Sequence, residues 1–350
     1  MATGAVLTPP VPLPTVAPMN RSALCSALVA FALLGFATSC PAPLIFTPGE
    51  GWRYEKVGGT GSWTRGRAKD QLEVAQQSFD KKDYSTAMNA ARRTVHVWPF
   101  SDYAPQAQYL LGRCHEAAND DEKAFEAYQK LIERYPKSPN YDEVLLRQMG
   151  IANRYLAGQW FKLFNVVPWF PSMEKTIKMY DKIIKNGPYS EVAPQAQINI
   201  GLAHERKVFG DLPEATRAYE RAADKYADRS EGTDALFRVG ESYNRQAKKA
   251  EYDQSLAGQA IATYTDFITL HPEDKRAPQA QKKIESLKLE QARGAFDVAR
   301  YYEKKKKWKA AKIYYNEVND VLRDSPDAKL AADARARIDQ IVKQHPEASP

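Results

Sequence analysis

The sequence predicts an all-α protein built from repeated helix pairs, and three observations lead to this fold class. The pentapeptide A-P-Q-A-Q occurs three times, and each copy's proline follows an earlier proline by six residues. Only 18 of the 350 residues are glycine. The apolar residues after position 66 do not alternate with period two, which argues against strands. A fixed interval between prolines indicates internal repeats, and the copies lie at Ala104–Gln108, Ala193–Gln197 and Ala277–Gln281.

The unit from Pro105 to Pro136 shows the full pattern of one repeat. A first helix carries Leu111-Gly112, and a second carries Ala124 and Tyr128, separated by three residues. This order of Leu-Gly, small-x3-aromatic and proline is typical of the tetratricopeptide repeat. The glycine is expected to let the two helices approach closely, and the proline of A-P-Q-A-Q to occupy the first turn of a helix, where its missing N–H costs nothing.

The same pattern recurs along the chain. The second-helix positions are Thr176, Tyr180 and Pro188; Ala260, Tyr264 and Pro272; Ala215, Tyr219 and Ala227; and, in a degenerate first unit, Ala87, Ala91 and Pro99. Gly150, Gly201 and Gly240 are assigned to the first-helix glycine position. The predicted units are 67–99, 104–136, 141–188, 192–227, 231–272 and 277–326, followed by a closing helix near 327–344. The prediction is a superhelical solenoid of about five to six helix pairs over residues 67–344, with a tail at 345–350, whose concave face binds a peptide or protein.

The first forty residues have a different composition. From Met19 they read as a short basic start, an apolar run over Ala23–Phe36 and small residues up to Cys40. Residues 1–39 are therefore predicted to be a signal peptide, with Met19 the expected true start, and residues 40–66 a lipidated N-terminus and extended linker. The end of the signal resembles that of a bacterial lipoprotein, which implies acylation of Cys40. The alternative is ordinary cleavage after Ser39, which would release a secreted protein.

Charge and composition limit the remaining function classes. A net charge of +7 is a modest excess, and no nucleic-acid partner is predicted from it. Catalytic motifs, phosphate-binding glycine loops and metal-ligand spacings were not found, so no enzyme activity, cofactor or metal is predicted. Once the signal has been removed and Cys40 has been acylated, Cys114 is the one cysteine left, so no intramolecular disulfide is predicted. Cys114 is instead interpreted as a small buried residue.

An apolar insertion splits the third unit between Gly150 and Thr176. It contains five aromatic residues, which are candidate contacts with a partner or the membrane: Trp160, Phe161, Phe164, Trp169 and Phe170. Two interpretations stay open. The insertion either folds back over its own solenoid, or serves as a docking loop for a partner or a lipid surface, where Trp is favoured. A second insertion, Lys248–Gly258, is polar and is interpreted as a longer connection between helices.

The densest positive charge lies in a run of four lysines before Trp308. Lys304, Lys305, Lys306 and Lys307 are either a solvated turn, which is the favoured interpretation, or a patch for acidic partner side chains or anionic headgroups.

Several of these segments together resemble the BamD family of outer-membrane β-barrel assembly lipoproteins. The segments are the signal that ends at Cys40, W-P-F-S-D-Y-A at Trp98–Ala104, the split third unit, V-A-R-Y-Y-E-K-K-K-K-W-K-A-A at Val298–Ala311, and V-L-R-D-S-P-D at Val321–Asp327. The resemblance implies that the C-terminal repeats hold the barrel-assembly subunit's soluble domains and that the N-terminal repeats receive unfolded barrel substrates. It places Lys305 in a turn that contacts an acidic group of the partner. Two features depart from the family pattern: additional repeats follow the split unit, and four lysines replace a mixed Arg/Gly turn.

The expected function is therefore a non-catalytic scaffold, lipid-anchored at the outer membrane and facing the periplasm. Its expected partners are the barrel-assembly subunit, other assembly lipoproteins and unfolded outer-membrane proteins. The alternative is a periplasmic tetratricopeptide adaptor for envelope division or polysaccharide export. A cytosolic scaffold would require that Met1–Cys40 is not a signal.

Overall fold

The computed structural model describes residues 44–47, 51–54, 63–163, 167–249, 254–323 and 328–345. The chain divides into two compact units, residues 1–63 and 64–350. In the first, β1 (Leu44–Thr47) and β2 (Gly51–Tyr54) form an antiparallel hairpin in which Leu44 pairs with Tyr54. An extended linker was predicted here from the sequence. The candidate lipidation site Cys40 and the rest of the signal lie outside the described residues.

The second unit is helical except for one hairpin, which confirms the predicted fold class. Its described residues contain thirteen helices: α1 Ala68–Asp80, α2 Tyr84–Val97, α3 Ala104–Ala117, α4 Asp121–Arg134, α5 Tyr141–Leu156, α6 Met173–Asn186, α7 Ala193–Glu205, α8 Leu212–Lys225, α9 Ser230–Lys249, α10 Gln254–Leu270, α11 Ala277–Lys304, α12 Trp308–Val321 and α13 Ala328–Gln344. The hairpin consists of β3 (Phe161–Leu163) and β4 (Val167–Phe170), between α5 and α6. Consecutive helices pack as six antiparallel pairs, α1/α2 to α11/α12, and α13 covers the last pair.

Local sequence explains where the helices begin. The prolines of A-P-Q-A-Q stand in the first turn of α3, α7 and α11, as predicted. Side chains of Asp83, Ser172 and Asp211 accept a hydrogen bond from the backbone N–H three residues later, at the starts of α2, α6 and α8. The last glutamine of the pentapeptide has a further role. Gln108 Nε2 donates to Ala127 O at 2.8 Å, and thereby ties α3 to α4.

A buried tyrosine fills the centre of five of the helix pairs. These are Tyr128, Tyr180, Tyr219, Tyr264 and Tyr315, and each side chain is fully buried. Gly112, Gly201 and Gly240 lie directly against three of these rings, as predicted. Gly150 was wrongly assigned to this position. The nearest atom to a Cβ placed on Gly150 is Nη1 of Arg154, 4.0 Å away, because Gly150 lies one residue beyond the position that faces Tyr180.

The hydroxyl groups of four of these tyrosines show which part of the first helix faces the ring. Each hydroxyl donates a hydrogen bond to a side chain on the first helix of the same unit. Tyr128 donates to Glu116 at 2.9 Å, Tyr219 to Glu205 at 3.1 Å and Tyr315 to Glu303 at 2.6 Å. Tyr180 donates to Asn153 at 2.7 Å. The three glutamates also pair with an arginine on the first helix of the following unit or on α13. Glu116 accepts a hydrogen bond from Arg147 and Glu205 from Arg245, and Glu303 forms an ion pair with Arg337 at 3.6 Å. These networks join successive units through charged hydrogen bonds as well as apolar contacts.

The second insertion differs from its prediction. Most of the residues between Lys248 and Gly258 extend α9 and α10, which run for 20 and 17 residues, and only residues 250–253 lie outside the described part. Among the described residues, no helix combines the length and the apolar character that a membrane span requires.

Candidate functional site

The four lysines form the turn between α11 and α12. Lys304 ends α11, Lys307 is the N-cap of α12, and Lys306 has φ of 58°, in the left-handed region. The turn closes by backbone bonds from Lys306 N to Glu303 O at 2.9 Å and from Lys307 N to Tyr302 O at 3.0 Å. Lys82, Asn119 and Gly210 adopt the same left-handed conformation in earlier units, so this is the usual turn of the solenoid.

The lysine side chains of this turn point to solvent. All four are exposed, and among the described residues none of them forms an ion pair. Lys305 Nζ lies 5.8 Å from the ring centroid of Tyr301, whose side chain is itself 57 % exposed. An exposed aromatic ring beside uncompensated positive charge suits an acidic protein surface.

The aromatic insertion forms a β-hairpin, where sequence analysis expected a loop. Phe161 pairs with Phe170, and Leu163 pairs with Val167. Phe161 is 2 % exposed, because its ring stacks on Tyr155 with centroids 4.0 Å apart and Lys175 Nζ lies 4.8 Å from it. Phe161 therefore packs against the solenoid, which agrees with the first of the two interpretations of the aromatic insertion.

Trp160 behaves in the opposite way and points outward, with 54 % of its surface exposed. Phe164 lies outside the described residues. Trp169 and Phe170 belong to β4, but their side chains are not among those described. The aromatic insertion thus contributes one buried ring, Phe161, and one exposed ring, Trp160, to the candidate site.

The turn of the following unit also exposes apolar side chains, and these were not predicted from the sequence. Val208 and Phe209, in the turn between α7 and α8, are 92 % and 90 % exposed. Arg206 at the end of α7 donates to Leu156 O at the end of α5, at 2.7 Å. The ends of α5 and α7 are thus in contact, and each is followed within a few residues by exposed apolar side chains, Trp160 after α5 and Val208 with Phe209 after α7. Large exposed apolar groups are characteristic of a contact surface.

A basic cavity of about 330 Å³ lies between α2, α3 and α4, and sequence analysis did not predict it. Its basic lining consists of Arg92, His96, His115, Lys123, Lys130 and Arg134. The spacing of three basic residues along α4, at positions 123, 130 and 134, places them on one helix face and could have indicated this cavity. Glu126 is the one carboxylate in the lining among the described residues.

The groups in the basic cavity differ in their electrostatic state. Lys123 is paired with Asp120 at 2.8 Å, whereas Arg92, Lys130 and Arg134 have no ion pair among the described residues. Burial lowers the pKa of His115 below its ordinary value, and the positive charges of Lys123 and Arg92 act in the same direction. Its imidazole is therefore neutral at pH 7 and is able to donate one hydrogen bond and accept another.

Within the described part of the chain, groups of three or more His, Cys, Asp or Glu side chains arranged to hold a metal are not found. Cys114 is buried, as predicted, and forms no disulfide among the described residues; burial raises the pKa of its thiol to about 12. A thiol in this state is a poor nucleophile.

Solved structures that resemble this chain are tetratricopeptide-repeat proteins. A thermophilic repeat protein of Thermus thermophilus is 16 % identical over 62 % of this chain and 98 % of its own, with a TM-score of 0.29. The MamA protein is 15 % identical over 60 % and 94 %, with a TM-score of 0.33. The C-terminal part of a repeat protein of Cytophaga hutchinsonii is 13 % identical over 77 % and 87 %, with a TM-score of 0.34. No curated protein matches the chain.

Two family models match the sequence. A tetratricopeptide-repeat model covers residues 106–138, which contain most of α3, all of α4 and the part of the basic cavity's lining that these two helices supply. A model of an outer membrane lipoprotein family, YfiO, covers residues 169–345, from the end of the hairpin through the lysine turn to α13. Because this second match spans half of the chain, the protein belongs to the YfiO family of outer membrane lipoproteins.

Proposed function

We propose that this protein is a non-catalytic scaffold of the outer-membrane β-barrel assembly machinery, anchored through an acylated Cys40 and facing the periplasm. The observation that carries the proposal is the family match over residues 169–345, which includes both the end of the split unit and the lysine turn. Those are the two segments that distinguish the BamD-like pattern from any other tetratricopeptide array. The stacked helix pairs supply a long surface for protein partners.

The lysine turn, Lys304–Lys307, is proposed to hold the barrel-assembly subunit. Its exposed and unpaired ammonium groups, next to the exposed ring of Tyr301, support contact with an acidic surface of that partner. Lys305 is the lysine that lies over the ring and is assigned the central contact.

The basic cavity is proposed to receive unfolded outer-membrane proteins. It lies in the first two units, and its uncompensated Arg92, Lys130 and Arg134 would attract carboxylates of an extended chain. A charge-reversing pair, Lys130→Glu with Arg134→Glu, is then expected to reduce photo-crosslinking of a denatured barrel protein. Reversal of Lys182 and Lys185 on α6 serves as the charge-matched control.

The exposed apolar side chains of Trp160, Val208 and Phe209 are proposed as a second contact with the membrane. One acyl chain binds a bilayer only marginally, so stable attachment needs either more chains, as bacterial lipoproteins carry, or a second contact such as this one. A chain with Cys40→Ser is expected to co-sediment with phospholipid vesicles, and Trp160→Ser combined with Phe209→Ser is expected to abolish this. Tyr189→Ser, at a turn residue that is 85 % exposed, is the control.

The deciding experiment is a pull-down of the tagged protein from its native envelope in mild detergent, with mass spectrometry of its partners and its own N-terminus. A barrel-assembly subunit together with an acylated Cys40 is the expected result. An unmodified N-terminus, with cell-wall or export proteins as partners, would favour the adaptor for envelope division or polysaccharide export.

A further inference from the structure

The basic cavity between α2, α3 and α4 is lined by positive side chains from two different helices. Arg92 lies on α2, and Lys130 and Arg134 lie one turn apart on α4. These are the second helices of the first and second units, so the cavity is distinct from a groove between first helices. Its charge therefore surrounds a common volume.

The protein does not balance the charge of this cavity. Arg92, Lys130 and Arg134 have no ion pair among the described residues. Lys123 is already paired with an aspartate of the preceding turn, at 2.8 Å. Glu126 is the one carboxylate in the described lining. Among the arginine, lysine and carboxylate groups this leaves an excess of two positive charges, which a dianion would neutralise and a single carboxylate would not.

A buried imidazole on α3 adds a hydrogen-bonding group to the cavity. The side chain of His115 is 8 % exposed, borders the cavity and has no hydrogen-bond partner among the described residues. Burial lowers its pKa below the ordinary value, so at pH 7 the ring is neutral and carries one N–H. Buried polar side chains are nearly always paired with protein or water. This imidazole is therefore available to an oxygen atom of a ligand.

Apolar side chains complete the lining. Val95 of α2 and Ala127 of α4 are buried, and Leu111 of α3 is half-buried. The volume of about 330 Å³ is at the small end of the range for ligand pockets. The cavity thus has room for a small charged group together with the first carbon atoms attached to it.

We propose that the basic cavity binds the phosphate group of a phosphomonoester. Such a group carries between about 1.5 and 2 negative charges at pH 7, which matches the excess in the cavity. Its three terminal oxygens would accept hydrogen bonds from Arg92, Arg134 and His115, and guanidinium groups suit phosphate because they donate in pairs. A carboxylate or a phosphodiester fits less well, since each has two such oxygens and one charge. The phosphate belongs either to a soluble ester or to a lipid headgroup, and the recognition is the same.

This ligand goes beyond the proposed scaffold function, because it is not a protein. Binding itself does not depend on that function. Its consequence rests on it: the phosphate would occupy the cations that are proposed to attract an unfolded outer-membrane protein, so the two ligands should compete for the cavity.

The test is isothermal titration calorimetry of the full chain in dodecyl maltoside, at pH 7.5 and constant ionic strength. The ligands are phenyl phosphate, its methyl diester and benzoate, which share one ring. We expect saturable binding of phenyl phosphate, and binding about tenfold weaker or less for the other two, because each has less charge. Displacement by glycerol 3-phosphate and by dibutanoyl phosphatidic acid then separates the sources: a tighter lipid indicates a headgroup, and a tighter glycerol phosphate indicates a soluble ester.

Removal of two cations should weaken the site. Arg92→Gln combined with Arg134→Gln is expected to reduce the affinity for phenyl phosphate about tenfold or more, because charge-assisted hydrogen bonds are lost. Lys182→Gln combined with Lys185→Gln removes two exposed positive charges on α6 and should leave the affinity unchanged.

Two further substitutions test the remaining groups. Glu126→Gln removes the carboxylate of the lining and should strengthen binding severalfold, a gain that a misfolded chain would not show. Glu73→Gln, at an exposed position of α1, is its control. His115→Leu should weaken binding because it removes the N–H donor, whereas His115→Gln retains a neutral donor and should bind more tightly than His115→Leu.

Three results would overturn the proposal. One is equal affinity for phenyl phosphate and benzoate, which would reduce the cavity to an unspecific anion surface. Another is equal binding by the wild type and the Arg92/Arg134 variant, with circular dichroism showing that both are folded. The third is an unchanged affinity in the Glu126→Gln variant.

A competition experiment separates this proposal from the proposed function. If phenyl phosphate binds but does not lower crosslinking of the denatured barrel protein, the phosphate site stands and the substrate role of the cavity fails. If crosslinking depends on Lys130 and Arg134 while phenyl phosphate does not bind, the substrate role stands and the phosphate site fails.

Discussion

A Cβ atom on Gly112 would lie 2.3 Å from Cε1 of Tyr128, and a Cβ atom on Gly201 would lie at the same distance from Cε1 of Tyr219. Contacts this short do not occur between packed carbon atoms, so the ring of each second helix occupies the space that a side chain on the first would need. The close approach of the two helices in a unit therefore depends on glycine at this position.

Gly112→Ala is expected to destabilise the second unit by about 1–2 kcal/mol. Overpacking against the buried ring costs about 1–3 kcal/mol, and the higher helix propensity of alanine returns up to about 1 kcal/mol. The measurement is the hydrogen-exchange protection of amides in α3 and α4, which reports on individual units of a solenoid. Gly150→Ala is the matched control, because its Cβ would meet nothing closer than 4.0 Å, and it should stabilise by up to about 1 kcal/mol. Equal losses in the two variants would contradict the role of the Tyr128 ring.

Tyr128→Phe is expected to cost about 1–2 kcal/mol of unfolding free energy. It removes the 2.9 Å hydrogen bond to Glu116, a charged acceptor that also binds Arg147. Tyr264→Phe is the control, since its buried hydroxyl has no hydrogen-bond partner among the described residues, and its substitution should be neutral or stabilising. Urea denaturation of both variants measures the difference. A larger loss for Tyr264→Phe would show that its hydroxyl is satisfied in solution.

Acid is expected to weaken the link between the fifth unit and α11 through Asp274. A side-chain hydrogen bond from Arg276 holds the pKa of this carboxyl at about 2, below its ordinary 3.8. Arg276 also donates to Asp234 on α9 at 2.7 Å. Because the folded pKa is depressed, the stabilisation is complete above about pH 4 and is lost as the pH falls through about 2.

Asp274→Asn tests this directly. At pH 6 it should reduce the free energy of unfolding by about 1–2 kcal/mol, allowing for solvent screening of a partly exposed group. That difference from the wild type should shrink steadily between about pH 4 and pH 2. A difference that is independent of pH would assign the effect to the backbone hydrogen bond from Arg276 N, at 2.8 Å, and not to the charge.

Cys114 is expected to resist alkylation in the folded protein. Burial raises the pKa of its thiol to about 12, so at pH 8 the reactive thiolate is scarce as well as inaccessible. Site-resolved mass spectrometry after iodoacetamide treatment should show little labelling of this residue, and complete labelling in urea. Rapid labelling without denaturant would mean that α3 opens locally.

Lys305→Glu with Lys306→Glu is expected to reduce recovery of the barrel-assembly subunit in the pull-down by about tenfold, because reversal turns attraction into repulsion at an exposed surface. The left-handed backbone of Lys306 is already unfavourable for any residue with a Cβ, so the exchange changes charge more than conformation. A chain with Lys182 and Lys185 reversed instead should retain the partner. If both variants recover the subunit as well as the wild type does, the lysine turn is only a solvated connection between helices.

Periodicity in the sequence was sufficient to predict the solenoid, because its regular features are local. The prolines of A-P-Q-A-Q and the buried Tyr219 and Tyr264 were correctly placed by spacing alone. The position of Gly150 was wrong, since a shift of one residue turns a side chain by about 100° on a helix and no spacing rule detects this within an irregular unit.

The candidate surfaces were less predictable. The aromatic insertion was noticed by composition, but its division into a buried Phe161 and an exposed Trp160 follows from contacts with Tyr155, which belongs to no motif that sequence analysis singled out. The basic cavity combines residues of three helices. Such sites arise from packing between units, which local patterns do not contain.

The length of α11 sets a spacing between two surfaces. This helix runs without interruption for 28 residues, packs against α10 through Ile284 and Leu287, and packs against α12 through Ala295 and Ala299. Leu287, in the contact with α10, and Lys304, at the start of the lysine turn, stand 17 positions apart on it, which corresponds to about 26 Å along the axis. Because both lie on one uninterrupted helix, α11 holds the lysine turn at a fixed distance from the fifth unit.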